Sequence, residues 1–163
     1  MNATQNPTTI TARPGTPFME IVREFDAPPE LVFRAHVDPG LVVQWLGPRD
    51  LTAHVEEWDA RSGGSYRYRH TGTEDHPVDA RFRGVFHTVE PNELIIQTFE
   101  YDGAPNEVTI EKHRFEDLGD GRTRLTSNSV FPSVEAQEMA LASGMTHGIY
   151  DSMDRLAELL PSL

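Results

Sequence analysis

From Leu51 to Phe131 the chain alternates polar and apolar residues in six separate stretches, then switches at Ser133 to one long helical repeat ending at Leu160. Alternation marks strands with one covered face, whereas helical spacing marks an amphipathic rod. The stretches are LTAHVEEWD, SYRYRH, VDARFRGVFHTVE, ELIIQTFEYD, EVTIEKHRFEDL and RTRLTSNSVF. Short polar connections such as Pro91-Asn92 and Gly119-Asp120-Gly121 separate them, which argues for hairpins and an antiparallel meander. A sheet of this size has an apolar face that must be covered, and the terminal repeat is the only element large enough. Met145, Ile149, Met153, Leu156 and Leu160 form its stripe, with Asp151, Asp154 and Glu158 largely away. Ser133 is placed as a cap. Gly144 and Gly148 each cost ~1 kcal/mol in a helix relative to alanine, which predicts a break near Ser143-Gly144.

Upstream, FMEIVREFDA reads as a strand with Ile21, Arg23 and Phe25 on its more apolar face. APPELVFRAHV and DPGLVVQWLGP then read as two short helices, opened by prolines and, in the second, capped by Asp38. The predicted architecture is α+β: an antiparallel, curved sheet of six to seven strands wrapped around a long C-terminal helix, with two short helices after the first strand. A curved sheet gripping one helix leaves its ends imperfectly filled, so a pocket is expected between them. Residues 1–16 are polar and rich in Pro and Thr and read as a disordered tail; 17–163 read as one domain.

The charge balance narrows the partners. Among 163 residues, 26 acidic side chains face 14 Lys and Arg, a formal charge of −12. Such a surface repels phosphate backbones and anionic lipids, so neither nucleic acid nor membrane is expected as a partner. Cysteine is absent, which excludes disulfides, thiolate metal sites and a catalytic thiol. The N-terminal segment has no apolar core and no stretch could span a bilayer, so a cytoplasmic location is expected.

In WDARSGGSYRYRH, Gly63-Gly64 reads as a tight turn delivering a strand at a fixed angle, since no Lys-Ser or Lys-Thr follows to cradle a phosphate. The alternation then sends Tyr66, Tyr68 and His70 to one side and Arg67 and Arg69 to the other. The tyrosines either pack in the core or line the pocket and offer hydroxyls to a ligand. His70, near a loop, is expected in solvent. Arg23 needs a partner on its apolar face: a carboxylate such as Glu57, or else a ligand's carboxylate. Trp45, Trp58, Phe82, Phe86, Phe99, Tyr101, Met145 and Ile149 are shared between core and pocket lining. His54 and Glu56 lie on one face but make only two ligands, and the remaining histidines add no recognised pairing, so no metal is expected. No nucleophile beside a base and no serine elbow stands out, so neither a catalytic residue nor a cofactor is assigned.

Four blocks, VREFDAPPELVFRAHVDPGLVVQWLGP, WDARSGGSYRYR, RGVFHTVEPNELIIQTFEY and SGMTHGIYDSMDRLAELL, resemble the activator of Hsp90 ATPase homologue-like branch of the START/Bet v1-like, helix-grip superfamily. The resemblance runs from about Phe18 to Leu160 in the right order. It implies the helix-grip fold and, as leading function, a small hydrophobic ligand, lipid-like, polyketide-like or aromatic, held between sheet and helix. It also implies two alternatives: a cyclase- or aromatase-like enzyme using the same pocket, and a domain acting on a chaperone ATPase. Pairing through an exposed sheet edge into a homodimer stays open.

Overall fold

The structure, a computed structural model, describes residues 6–163. In chain order its elements are β1 (Thr9–Ala12), β2 (Phe18–Phe25), α1 (Pro29–Val37), α2 (Pro39–Trp45), β3 (Thr52–Trp58), β4 (Ser65–Thr71), β5 (Asp79–Glu90), β6 (Leu94–Tyr101), β7 (Thr109–Gly119), β8 (Arg122–Val130), α3 (Val134–Ala142) and α4 (Met145–Leu159). One eight-stranded sheet runs in the order β1-β2-β8-β7-β6-β5-β4-β3, each neighbouring pair antiparallel. No helix among the described residues is long and apolar enough to cross a membrane.

The extra strand corrects the reading of residues 1–16 as a tail. Thr9–Ala12 pairs with Met19–Val22, joined by a turn with Gly15 at φ 73°. Thr8, Thr9, Ile10 and Thr11 are β-branched and suit an edge strand, a signal hidden by the polar composition. Residues 1–5 lie outside the described residues.

The helical break falls where the glycine required it. Gly144 sits at φ 84° between α3 and α4, a left-handed conformation that side chains disfavour. Ser133 Oγ accepts from the Ala136 N–H at 3.0 Å, and Asp38 Oδ1 accepts from the Gly40 N–H at 2.9 Å, so both expected caps form. On α4, Met153, Leu156 and Leu160 are buried against Phe25, Val32, Phe86 and Phe115 in the core. Each such side chain contributes about 2 kcal/mol by leaving water.

The two short helices close one end of the grip. Arg155 on α4 donates to the carbonyls of Gly47 at 2.9 Å and Gln44 at 3.1 Å, satisfying the open C-terminus of α2. Ser152 accepts from the Gly47 N–H at 2.8 Å. His70, expected in solvent, is buried against this clasp, and any Cβ on Gly47 would strike its ring.

Arg23 meets a different carboxylate from the one expected. Its guanidinium is 2% exposed and donates to Asp154 Oδ1 at 2.8 Å and Thr8 Oγ1 at 3.0 Å. Five strands separate β2 from β3, so Glu57 is out of reach and pairs with Arg67 instead. Asp154 on α4 supplies the carboxylate that reaches Arg23 on β2. Because the Asp154 side chain keeps 40% exposure, Asp154→Asn is expected to cost about 2 kcal/mol, less than the ~3–5 kcal/mol for breaking a fully buried pair. Arg23→Met combined with Asp154→Leu should recover most of that loss in urea titrations.

Candidate functional site

The strands on which α1 packs, β7 and β8, carry polar residues among the apolar ones on their inner side. On β7, Thr109, Glu111 and His113 share the inner side with Phe115, while Val108 and Ile110 point out, 39% and 52% exposed. On β8, Ser127 and Ser129 are buried inside and Val130 is exposed outside. Register completes a polar floor: Glu111 lies opposite both Gln97 and Ser129, and His113 opposite Ser127.

The floor is hydrogen-bonded but not closed. Gln97 Nε2 donates to Glu111 Oε1 at 3.1 Å and to the Tyr66 hydroxyl oxygen at 3.4 Å, while the Tyr66 O–H donates to the Thr98 carbonyl at 2.6 Å. His113 Nδ1 and Ser127 Oγ share a hydrogen bond of 2.7 Å. Gln97, Phe99, Glu111 and His113 are half-buried inside the grip.

An aromatic wall rises beside it on β3–β6. Trp58 packs on Tyr66 at 5.1 Å between centroids, Tyr66 stacks with Tyr68 at 6.1 Å, and Phe82 stacks with Tyr68 at 4.8 Å and with Phe99 at 5.5 Å. Gly84 makes this possible. A Cβ there would overlap the Thr98 carbonyl oxygen and stand 2.6 Å from the Tyr66 ring, so glycine alone lets Tyr66 cross β5 and reach β6. The two glycines before β4 serve geometry as well: Gly63 has φ 89°, and a Cβ on Gly64 would overlap the Asp59 carbonyl oxygen.

Burial sets the protonation states. Desolvation pushes the Glu111 carboxyl up to about 7, opposed by the bond from Gln97. Desolvation lowers His113 to about 3, helped by His36, and lowers His36 to about 4 against the pull of its bond to the Val32 carbonyl. Both tyrosine hydroxyls are pushed up, first by burial and then by the nearby Glu111 charge. At neutral pH the histidines are neutral, the tyrosines are protonated, and Glu111 alone stands near its midpoint.

The expected pocket residues divide. Trp58, Tyr66, Tyr68, Phe82, Phe99 and Ile149 come together around the wall. Phe86 and Trp45 belong to the sealed core, Trp45 donating to the Ala35 carbonyl at 2.9 Å. Arg23 is engaged by Asp154, Tyr101 is 40% exposed at the end of β6, and Met145 is half-buried at the start of α4. Gln97, Glu111, His113 and Ser127 were missed, because alternation on these strands does not say which face is covered.

Side chains take up much of the space expected between sheet and helix. Two open clefts of about 270 Å³ each lie instead along the β1–β2–β8 margin, one against Phe18, Met19 and Val130, the other against Thr9, Val22 and Arg23. Polar side chains line both clefts, Glu20, Asn128 and Ser129 in the first and Arg23 and Glu24 in the second, but neither cleft meets the aromatic wall that stands beside the floor. Among the described residues no group of three or more His, Asp or Glu is placed to hold a metal ion.

A curved antiparallel sheet clasping a C-terminal helix, with two short helices at one end, is the helix-grip fold of the START/Bet v1-like proteins. Solved structures agree. A Rhodobacter sphaeroides protein is 24% identical, with TM-score 0.85 over 96% of this chain and 99% of its own. An Arthrobacter aurescens protein is 25% identical, with TM-score 0.85 over 95% and 92%. DynU16, from the dynemicin biosynthetic locus, is 22% identical, with TM-score 0.63 over 90% of this chain and 48% of its own. No match was found among curated proteins. The profile of the activator of Hsp90 ATPase homolog 1-like proteins matches residues 26–161, and the chain belongs to that family.

Proposed function

We propose that the protein holds a small hydrophobic ligand against the polar floor, beneath α3 and α4 and beside the aromatic wall. The observation that carries this reading is the run of polar side chains on the inner side of β7 and β8, Glu111, His113, Ser127 and Ser129, joined to the aromatic wall through Gln97 and Tyr66. A fold that needed only stability would gain ~25 cal/mol for each Å² of apolar surface turned inward. Aromatic side chains around a few convergent polar groups are the usual lining of small-molecule sites. The location of DynU16 in a biosynthetic locus is compatible with a polyketide-like or aromatic ligand.

A thermal-shift and NMR screen of hydrophobic metabolites tests the reading. Hits should lose at least ~10-fold in affinity in Phe99→Ala, which removes part of the aromatic wall beside the floor. Hits whose affinity ignores that substitution would place the ligand elsewhere. Glu111 supports a second reading, a cyclase-like catalyst, because an acid titrating near 7 can both give and take a proton. Turnover of poly-β-keto analogues that disappears in Glu111→Gln would establish it; binding without turnover would leave a carrier.

A further inference from the structure

We propose that two copies of the chain pair through the outer face of the sheet, along a row of exposed apolar side chains. Phe18 on β2 lies opposite Val130 on β8, Val130 opposite Ile110 on β7, and Ile110 opposite Thr98 on β6. Val85 on β5 continues the line, its N–H donating to Thr98 Oγ1 at 2.9 Å. The four apolar members are each between 41% and 53% exposed and stand outside the core that α1 and α4 cover. Exposed apolar side chains scattered singly need no explanation, but an unbroken row across five strands marks an interaction surface. It lies on the opposite side of the sheet from the floor and does not depend on any ligand held there.

Charge and geometry together point to a second copy as the occupant. The chain carries a formal charge of −12, so most approaches between copies bring carboxylates against carboxylates. The outer face is the exception, because more than half of the Lys and Arg residues stand on outward positions of β4, β5, β7 and β8. On one side of the row stands Lys112, which makes no ion pair among the described residues. On the other stand Val108 and Glu100, the latter bound to Arg83 at 2.8 Å. A two-fold axis running along the row turns the Lys112 side of one copy over the Glu100 side of the other, so unlike charges meet. A two-fold parallel to β7 through Ile110 would set Lys112 against Lys112. Strands about 4.8 Å apart make the row about 20 Å long, and with the residues on either side its footprint is roughly 400 Å². That is the small end of specific interfaces, so the dimer dissociates on dilution. The outer face of the curved sheet is convex, which leaves the closest contact to Val130 and Ile110 in the middle of the row.

Sedimentation equilibrium on the full chain, from about 5 to about 500 μM, should show the wild type passing from monomer to dimer. Ile110→Lys, at an exposed position, should weaken pairing at least ~100-fold. Met139→Lys, at an exposed apolar residue on α3, should leave it unchanged. Because the chain has no cysteine, single cysteines report the axis. Ile110→Cys lies on it and should form a disulfide with its counterpart under mild oxidation. Arg114→Cys, four residues along β7, is held about 26 Å from its counterpart and should not. A wild type that stays monomeric throughout would overturn the pairing and leave the row to a different protein; a dimer untouched by Ile110→Lys would overturn it too. Cross-linking through Arg114→Cys rather than Ile110→Cys would overturn the axis and the match of Lys112 to Glu100. The wild-type series and the disulfides decide the matter even if Ile110→Lys fails to fold.

Discussion

Acidification from pH 6.5 to 4.5 should destabilise the protein steeply, and the slope should move in opposite directions in two variants. His36 and His113 have folded values near 4 and 3 against an unfolded 6.5, so between 4.5 and 6.5 only the unfolded chain binds their protons. Their contribution is complete above 6.5 and is lost as pH falls, by ~1.4 kcal/mol per pH unit for each proton. His70, also lowered by burial, adds in the same direction. Glu111 has the reverse sign: raised from 4.5 to about 7, it binds its proton in the folded state across this window and favours folding at the acid end. Urea midpoints measured across the window should show stability rising with pH. His113→Gln should flatten the slope by ~1.4 kcal/mol per unit, and Glu111→Gln should steepen it by as much. Unchanged slopes would mean that these groups are hydrated rather than buried.

Gly84→Ala should be among the most damaging single substitutions in the chain. The added methyl group meets the Thr98 carbonyl on one side and the Tyr66 ring on the other, both fixed by sheet pairing and by the Tyr66–Thr98 bond. Overpacking of this kind costs about 3 kcal/mol, and displacing Tyr66 should also remove ligand binding because Gln97 loses one of its two partners. Gly119→Ala provides the comparison. Gly119, unlike Gly84, has a positive φ, 81°, and its added methyl faces open space, so ~1 kcal/mol and intact binding are expected. Equal losses from the two substitutions, read by urea denaturation, would show that the Thr98 and Tyr66 contacts yield to the added methyl group and do not make Gly84 necessary.

The order of strands and helices was legible because each element repeats its period over many residues: the alternation of Tyr66, Tyr68 and His70, the stripe from Met153 to Leu160, and the break at Gly144 all reappear. The edge strand was hidden because Thr8–Thr11 reads as polar by composition even though its β-branched side chains favour extension. Half of the site was legible for the same reason, since Tyr66, Tyr68, Phe82 and Phe99 alternate on strands whose inner face is apolar. The floor was not. On β7 neither face is predominantly apolar: Val108 and Ile110 share the outer side with Lys112, Arg114 and Glu116, and Phe115 shares the inner side with Glu111 and His113, so alternation alone does not pick the covered face. Only pairing between strands, which sets Glu111 opposite Gln97 and Ser129, identifies it. The partner of Arg23 was illegible in the same way, because Asp154 is 131 residues distant and joined to it only by the grip.

Intermolecular NOEs between a hit from the metabolite screen and a sample labelled at its isoleucine and methionine methyls and at its phenylalanine rings address the central claim most directly. The account requires contacts to Ile149 and Phe99, at the helix and wall that face the floor. Contacts confined to Phe18 and Met19, in the cleft on the β1–β2–β8 margin, would contradict it.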